Sequence, residues 1–405
     1  MEDKNKKFNL GKFLLMVLIV VLVVLLVGLL FQRNNTNQNT VDNNTSDTSR
    51  NPYANYYNSI GSSYSGNWKL GSNVGNLNTK VAQGARAKRT NIIGNNKDVI
   101  TIMVYMCGTD LESKYSMGVY DLQEMASAAI SNNINLIVYT GGSTRWHINE
   151  ISNRYNQIYR VVGNGNIERL VENAGTGSMV DPATLNSFIE WCADNYEANR
   201  YGLIMWDHGT GSVGGYGYDE KYPNLGSMDL AEIDKALTSA GIAFDFIGFD
   251  ACLMANTETA LMLTEHADYL IASEEAEPGV GWYYTNWLNA LSKNTSMSTI
   301  EIGKNIADSF ISACSQQTPG QSATLSVIDL AELAATVPSK LSAFSKSTSN
   351  LIANNNFKAV ANARGGSREF AQASYSDLVD LVDMATNIGS NEGKELAEAL
   401  LGCIK

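Results

Sequence analysis

Two short polar triplets each close an apolar run. Asp207-His208-Gly209 follows YGLIMW, and Asp250-Ala251-Cys252 follows FDFIGF. A thiol can attack a carbonyl, and an imidazole within reach can protonate the leaving amine. Either half alone is ordinary, because a single cysteine after a buried strand is usually a small core hydrophobe. The pair is much rarer in a chain with only 3 His. Gly209 lets the backbone come close, so its N–H and that of Cys252 are expected to form an oxyanion hole. A helix starting directly after Cys252 is expected to aim its positive end at the sulfur and lower its pKa.

Groups of this kind meet when they leave the carboxyl edge of neighbouring parallel strands. The pattern from Val99 onward fits that frame, with apolar runs alternating with helical segments. Strands are expected at Val99–Tyr105, Asn135–Tyr139, Gly202–Trp206, Phe244–Phe249, Tyr269–Ser273 and Ala323–Ile328. An amphipathic segment lies near Tyr115–Ile130, and Trp146–Val162 reads as a hairpin excursion. Asp181 with Pro182 starts one helix whose apolar face includes Cys192. Ser227–Ala240 forms another, closed by Gly241. The fold class is α/β: a three-layer αβα sandwich around a mostly parallel sheet.

Ahead of that domain, Phe13–Phe31 is an uncharged apolar run long enough for one membrane span. Lys4, Lys6, Lys7 and Lys12 precede it and only Arg33 follows closely, which places the N-terminus in the cytoplasm and the rest outside. Residues 1–12 are thus the cytoplasmic end, 13–31 a transmembrane anchor, 32–97 a flexible linker, and 98–405 the catalytic domain. The linker assignment rests on its Asn, Ser, Thr and Gly content, which cannot bury enough apolar area to order itself. The formal net charge of -12 excludes nucleic acid as a partner, since no basic surface would neutralise phosphates. The 5 cysteines lack C-x-x-C spacing, and no metal-binding motif is present.

The blocks WDHG and FDACLMA resemble the clostripain family of cysteine peptidases, which belongs to the clan of caspases, legumains, gingipains and separases. VYMCGTDLES, SEEAEPGVGWYY and LSVIDLAEL extend the likeness from about Val99 to Asp383. The resemblance implies a caspase-like fold, a dyad of His208 and Cys252 with no obligatory third residue, and cleavage of protein or peptide substrates after Arg or Lys. Asp250 resembles the acid that helps bind the basic P1 side chain; Asp110 carries over only as a position. Relatives are often cut between the His and Cys blocks, and calcium is described for some, although no EF-hand-like run occurs here. YSDLVDLVDMA stands close to Lys405, so a further strand segment of the family is expected to be missing.

A cationic P1 group needs a carboxylate partner in its pocket. The candidates are Asp250, beside the nucleophile, and Glu274, Glu275 and Glu277 on the next strand's exit loop, with Trp282 and Tyr283 as pocket walls. Lys221, within YDEKYPN, is expected in an exposed, extended loop as a self-processing site, and Arg86, Lys88 and Arg89 form a second basic cluster in the linker. Two other functions use the same residues: a transpeptidase with the same dyad, and a non-catalytic anchored binding protein.

Overall fold

A computed structural model describes residues 77–371 and 377–405. The expected anchor at 13–31 and most of the linker lie outside those residues. Among the described residues, no helix is long and apolar enough to cross a membrane.

The first strand of the described residues lies in the middle of the sheet. β1 (Ile100–Cys107) is buried along its whole length. Met103, Tyr105 and Cys107 enter one core cluster, whereas Ile102, Val104 and Met106 enter another. Such two-sided burial is the mark of a central strand. After it come α1 (Thr109–Ser113), α2 (Met117–Ser127) and the parallel neighbour β2 (Ile134–Gly141). A hairpin of β3 (Gln157–Gly163) and β4 (Asn166–Val171) then adds antiparallel to the edge beyond β2. The chain returns through α3 (Pro182–Asn195) to β5 (Arg200–Trp206), on the other side of β1. α4 (Leu230–Ala240), β6 (Phe244–Asp250), α5 (Thr257–Leu263) and β7 (Ala267–Ala272) continue the parallel array. α6 (Tyr284–Lys293), α7 (Thr299–Gln317), the antiparallel strand β8 (Ser326–Asp329) and α8 (Leu330–Ala353) follow. The chain closes with α9 (Phe357–Gly365), a small hairpin β9 (Glu369–Phe370) and β10 (Leu378–Val379), α10 (Leu381–Ile388) and α11 (Asn391–Cys403).

The strand order is β4-β3-β2-β1-β5-β6-β7-β8. Residues of α3, α4 and α8 join the cluster on one face of the sheet, and those of α2, α6 and α7 the cluster on the other. The chain leaves β1 first towards β2 and later towards β5, so a topological switch point falls between β1 and β5. The chemistry lies at that carboxyl edge.

Three sequence expectations change here. The hairpin spans 157–171, not Trp146–Val162, and turns at Asn164 and Gly165, both with positive φ. Asn-Gly is the residue pair that such a turn favours. The helix after Cys252 starts only at Thr257, capped by the Asn256 side chain, because Leu253 takes φ 67 and interrupts the path. Residues 78–97 are also docked, not a free linker. Arg86 donates to Asp268 at 2.7 Å and to the Ala267 carbonyl at 2.6 Å. Lys88 donates to Asp329 at 2.5 Å and sits over the Tyr269 ring. Asn78 reaches the Ile404 carbonyl at 3.1 Å. Buried Asp268 and Asp329 require these partners, and so fix the strap.

Candidate active site

β5 and β6 run parallel, with Trp206 opposite Asp250. His208 and Cys252 therefore each leave the sheet two residues beyond a paired position. Both line one narrow crevice, together with Asp250 and Glu277. Gly209 sets the distance between the two blocks: a Cβ there would lie 2.1 Å from the Cys252 carbonyl oxygen and 3.1 Å from its carbon. No other residue type fits that approach.

The sulfur is held by backbone. The N–H of Glu277 donates to Cys252 Sγ at 3.2 Å, in the place of the helix dipole the sequence suggested. A donor at that position favours the thiolate over the thiol. Phe370 packs with Cys252 and Leu253, and Leu378 rests against the same group. All five cysteines are buried, Cys252 included, so exposure does not single out the nucleophile.

His208 is positioned from three sides. Its Nε2 donates to Asp110 Oδ1 at 2.8 Å, and Tyr218 stacks on its ring at 6.1 Å between centroids. Asp207, beside it, accepts from the Thr109 hydroxyl at 3.0 Å and the Tyr218 N–H at 2.9 Å. Burial pushes the Asp110 carboxyl up, but the His208 hydrogen bond and charge outweigh it and hold the group below its ordinary value. Asp110 is thus a third member of the constellation. It leaves the carboxyl end of β1, so three adjacent strands each contribute one group.

Acids gather on the other side of the crevice. Asp250 Oδ1 accepts from the Trp282 N–H at 3.1 Å and Oδ2 from the Tyr284 hydroxyl at 2.8 Å. Burial pushes Asp250 to about 6 despite these bonds. Burial and then the charge of Asp250 push Glu277 well above its usual range. The same two causes, with Glu124 next, act on Asp121 of α2.

The structure thus brings Cys252, His208, Gly209, Asp250 and Glu277 together. Trp282 is different. Its ring is buried in the core against Gly248, because the small residue on β6 leaves a slot there, and only its backbone reaches Asp250. Glu274 bonds Ser326 and Glu275 accepts from Ala371 N–H at 3.0 Å, and neither lines the crevice. Lys221 lies in a half-buried turn, not an extended loop: Tyr222 N–H donates to the Asp219 carbonyl at 2.9 Å, and Lys221 Nζ reaches Asn156 at 3.3 Å. Among the described residues, no group of three or more His, Cys, Asp or Glu could hold a metal ion. Sequence reasoning gave Asp110 only as a position and missed Asp121. The signal for the second was present, since Asp121 and Glu124 interrupt the apolar face of α2 between Val119, Leu122 and Met125.

A thiol, an imidazole oriented by a carboxylate and a mostly parallel sheet define the class of an α/β cysteine peptidase. The description of the clostripain family matches residues 104–399, and the chain belongs to that family. It is similar to clostripain of Hathewaya histolytica, 29% identical over 226 residues, which are 47% of this chain and 41% of that protein. The match thus spans less than half of that relative. The fold resembles iotapain, a secreted C11 cysteine protease of Bacteroides thetaiotaomicron, with TM-score 0.56 and 17% identity over 76% of this chain and 85% of that one. It also resembles an inactive zymogen C11 protease of Parabacteroides distasonis, with TM-score 0.53 and 20% identity over 76% and 83% of the two chains.

Proposed function

We propose that this chain is a cysteine endopeptidase that hydrolyses peptide bonds after Arg or Lys. The observation that carries the reading is the crevice shared by His208, Cys252, Asp250 and Glu277. It joins a nucleophile and proton donor to buried carboxylates with no lysine or arginine in its lining. A buried anion of that kind is stabilised by an incoming cation, and an Arg or Lys side chain supplies one.

In the proposed reaction Cys252 Sγ, which accepts from the Glu277 N–H, gives its proton to His208 Nδ1 and attacks the scissile carbonyl. The Asp110 bond commits Nε2 of His208, so Nδ1 passes the proton to the leaving amine. The bridge between Gly209 and Tyr216 is made by Thr210 N–H to Gly215 and Gly217 N–H to His208. Neither bond uses the N–H of Gly209, which with that of Cys252 would stabilise the oxyanion. Water then hydrolyses the thioester, with His208 as base. The crevice, about 30 Å³, has room for a water or two.

The anchor at 13–31 would hold this activity at the outer face of a cell membrane. Self-cleavage after Lys221 belongs to the same proposal and requires its turn to open; the docked state of Arg86 and Lys88 argues against a cut there. Peptides differing only in Arg, Lys, Gln or Leu at P1 test the specificity. Cleavage confined to Arg and Lys, abolished by Cys252→Ala, supports it; preference for an acidic or apolar P1 rejects it. A new N-terminus at Tyr222 in the wild type, absent from Cys252→Ala, tests the processing.

A further inference from the structure

The buried acids around the crevice are more numerous than one cation pocket needs. Asp121, Asp207, Asp250 and Glu277 all line it, and His208 is the one basic side chain in that lining. Asp250, the acid nearest the nucleophile in sequence, has both oxygens occupied by Trp282 and Tyr284. The unsatisfied oxygens belong to the others. Oδ1 of Asp121 and both carboxylate oxygens of Glu277 are buried and find no hydrogen-bond partner. Asp121 is 1% exposed and Glu277 5%. Trp282 and Asp250 lie close enough to influence Glu277 without ordinary hydrogen-bond geometry.

Asp121 is held in place. The Trp206 indole N–H donates to its Oδ2 at 2.6 Å, which leaves Oδ1 for another donor. Gly281 keeps the space between the acids open: a Cβ there would stand 3.0 Å from Asp250 Oδ1 and 3.4 Å from Asp121 Oδ2. Two carboxylates from different elements thus come within a few ångströms of one glycine. Further titratable groups face the cluster from every packed element. They are Glu112 of α1, Tyr120 and Glu124 of α2, Glu274, Tyr284 of α6 and Cys314 of α7. All but Cys314 and the tyrosines are acids. Carboxylates this close in a buried site do not all ionise, so they retain protons between them. Unpartnered buried oxygens without a counter-ion mark a site prepared for a cation.

We propose that Asp121 of α2 is the second carboxylate of the P1 subsite, and that an entering cationic side chain displaces protons which Asp121, Asp250 and Glu277 share. This rests on the basic-P1 reading above. Only a proton moves: a carboxyl O–H gives its proton to the buffer base, and the guanidinium or ammonium takes over the neutralising role. Substrate binding is thereby coupled to pH, and weakens as the medium becomes acidic.

The test uses the Cys252→Ala form of the whole chain, titrated calorimetrically with a peptide carrying Arg at P1 and with its citrulline counterpart. Buffers of different ionisation enthalpy report the protons released. The Arg peptide is expected to release about one proton near neutral pH, so that its affinity falls up to roughly tenfold per pH unit on acidification. The citrulline peptide releases none. Asp121→Asn, which keeps the indole hydrogen bond, should weaken the Arg peptide by about tenfold or more and lower the proton count; Asp121→Glu should retain release. An Arg peptide that binds tightly with no proton release, or an unchanged affinity and count in Asp121→Asn, would overturn the inference and leave the basic-P1 reading intact. An Arg peptide that binds no better than citrulline would remove both. Proton release in the Cys252→Ala form needs no substitution at Asp121, so a poorly folding Asp121 variant does not obscure the outcome.

Discussion

Gly209→Ala is the sharpest structural perturbation of this site. The added methyl would lie 2.1 Å from the Cys252 carbonyl oxygen, where real contacts essentially never fall below 3.0 Å. The two blocks must therefore separate by about 1 Å, and both clashing atoms are backbone, so no side-chain rotation relieves the strain. A misplacement of that size costs on the order of 10² in rate, and overpacking of this kind costs roughly 1–3 kcal/mol of stability. The assay is kcat/KM on an Arg-P1 peptide well below the melting temperature, with a thermal melt beside it. The expected result is a rate loss of about two orders of magnitude with a melting point lowered by a few degrees and cooperativity retained. Activity above half of wild type with an unchanged melt would show that Gly209 does not set the distance between His208 and Cys252.

Asp110→Asn keeps an acceptor for His208 Nε2 but removes its charge, so kcat/KM should fall on the order of 10² with KM little changed; full activity would remove Asp110 from the constellation. Asp250→Asn should act oppositely on stability and activity. The folded carboxyl is raised from 3.8 to about 6, so the fold binds its proton more tightly than the unfolded chain does. The stability tied to that proton is fully present below about pH 4 and lost as pH rises to about 6, a cost of roughly 3 kcal/mol above that. Denaturant melts from acidic to neutral pH should therefore show Asp250→Asn gaining on the wild type, while its kcat/KM for Arg peptides falls. A constant difference across that range would contradict the buried, raised carboxyl.

Much of this site was legible because strand ends are written in sequence. YGLIMW and FDFIGF are apolar throughout, as strands covered on both faces must be, and the polar triplets after them mark the carboxyl edge. Asp181-Pro182 and Gly241 likewise announce helix ends by local chemistry: the Asp181 side chain accepts from Ala183 N–H, and Gly241 adopts φ 64. What failed depended on distant contacts. Residues 78–97 have a linker's composition, yet buried Asp268 and Asp329, far along the chain, hold them. Trp282 sits where the missing side chain of Gly248 leaves room, a vacancy no local pattern reveals. The turn at Leu253, at a φ of 67, runs against its residue type, so the continuous helix after Cys252 was the natural expectation. Asp110 and Asp121 needed the three-dimensional meeting of β1, α2 and β5 before their roles could be read.

The central claim is that Cys252, paired with His208, is the nucleophile. A peptide acyloxymethyl ketone with Arg at P1 alkylates an attacking thiolate held at the scissile carbonyl position. Mass spectrometry of the trypsin-digested adduct then identifies the sulfur. One adduct on Cys252, formed with loss of activity in step and slowed in His208→Ala, is the predicted result. Adducts on Cys107, Cys192, Cys314 or Cys403, or peptide cleavage that persists in Cys252→Ala, would contradict it.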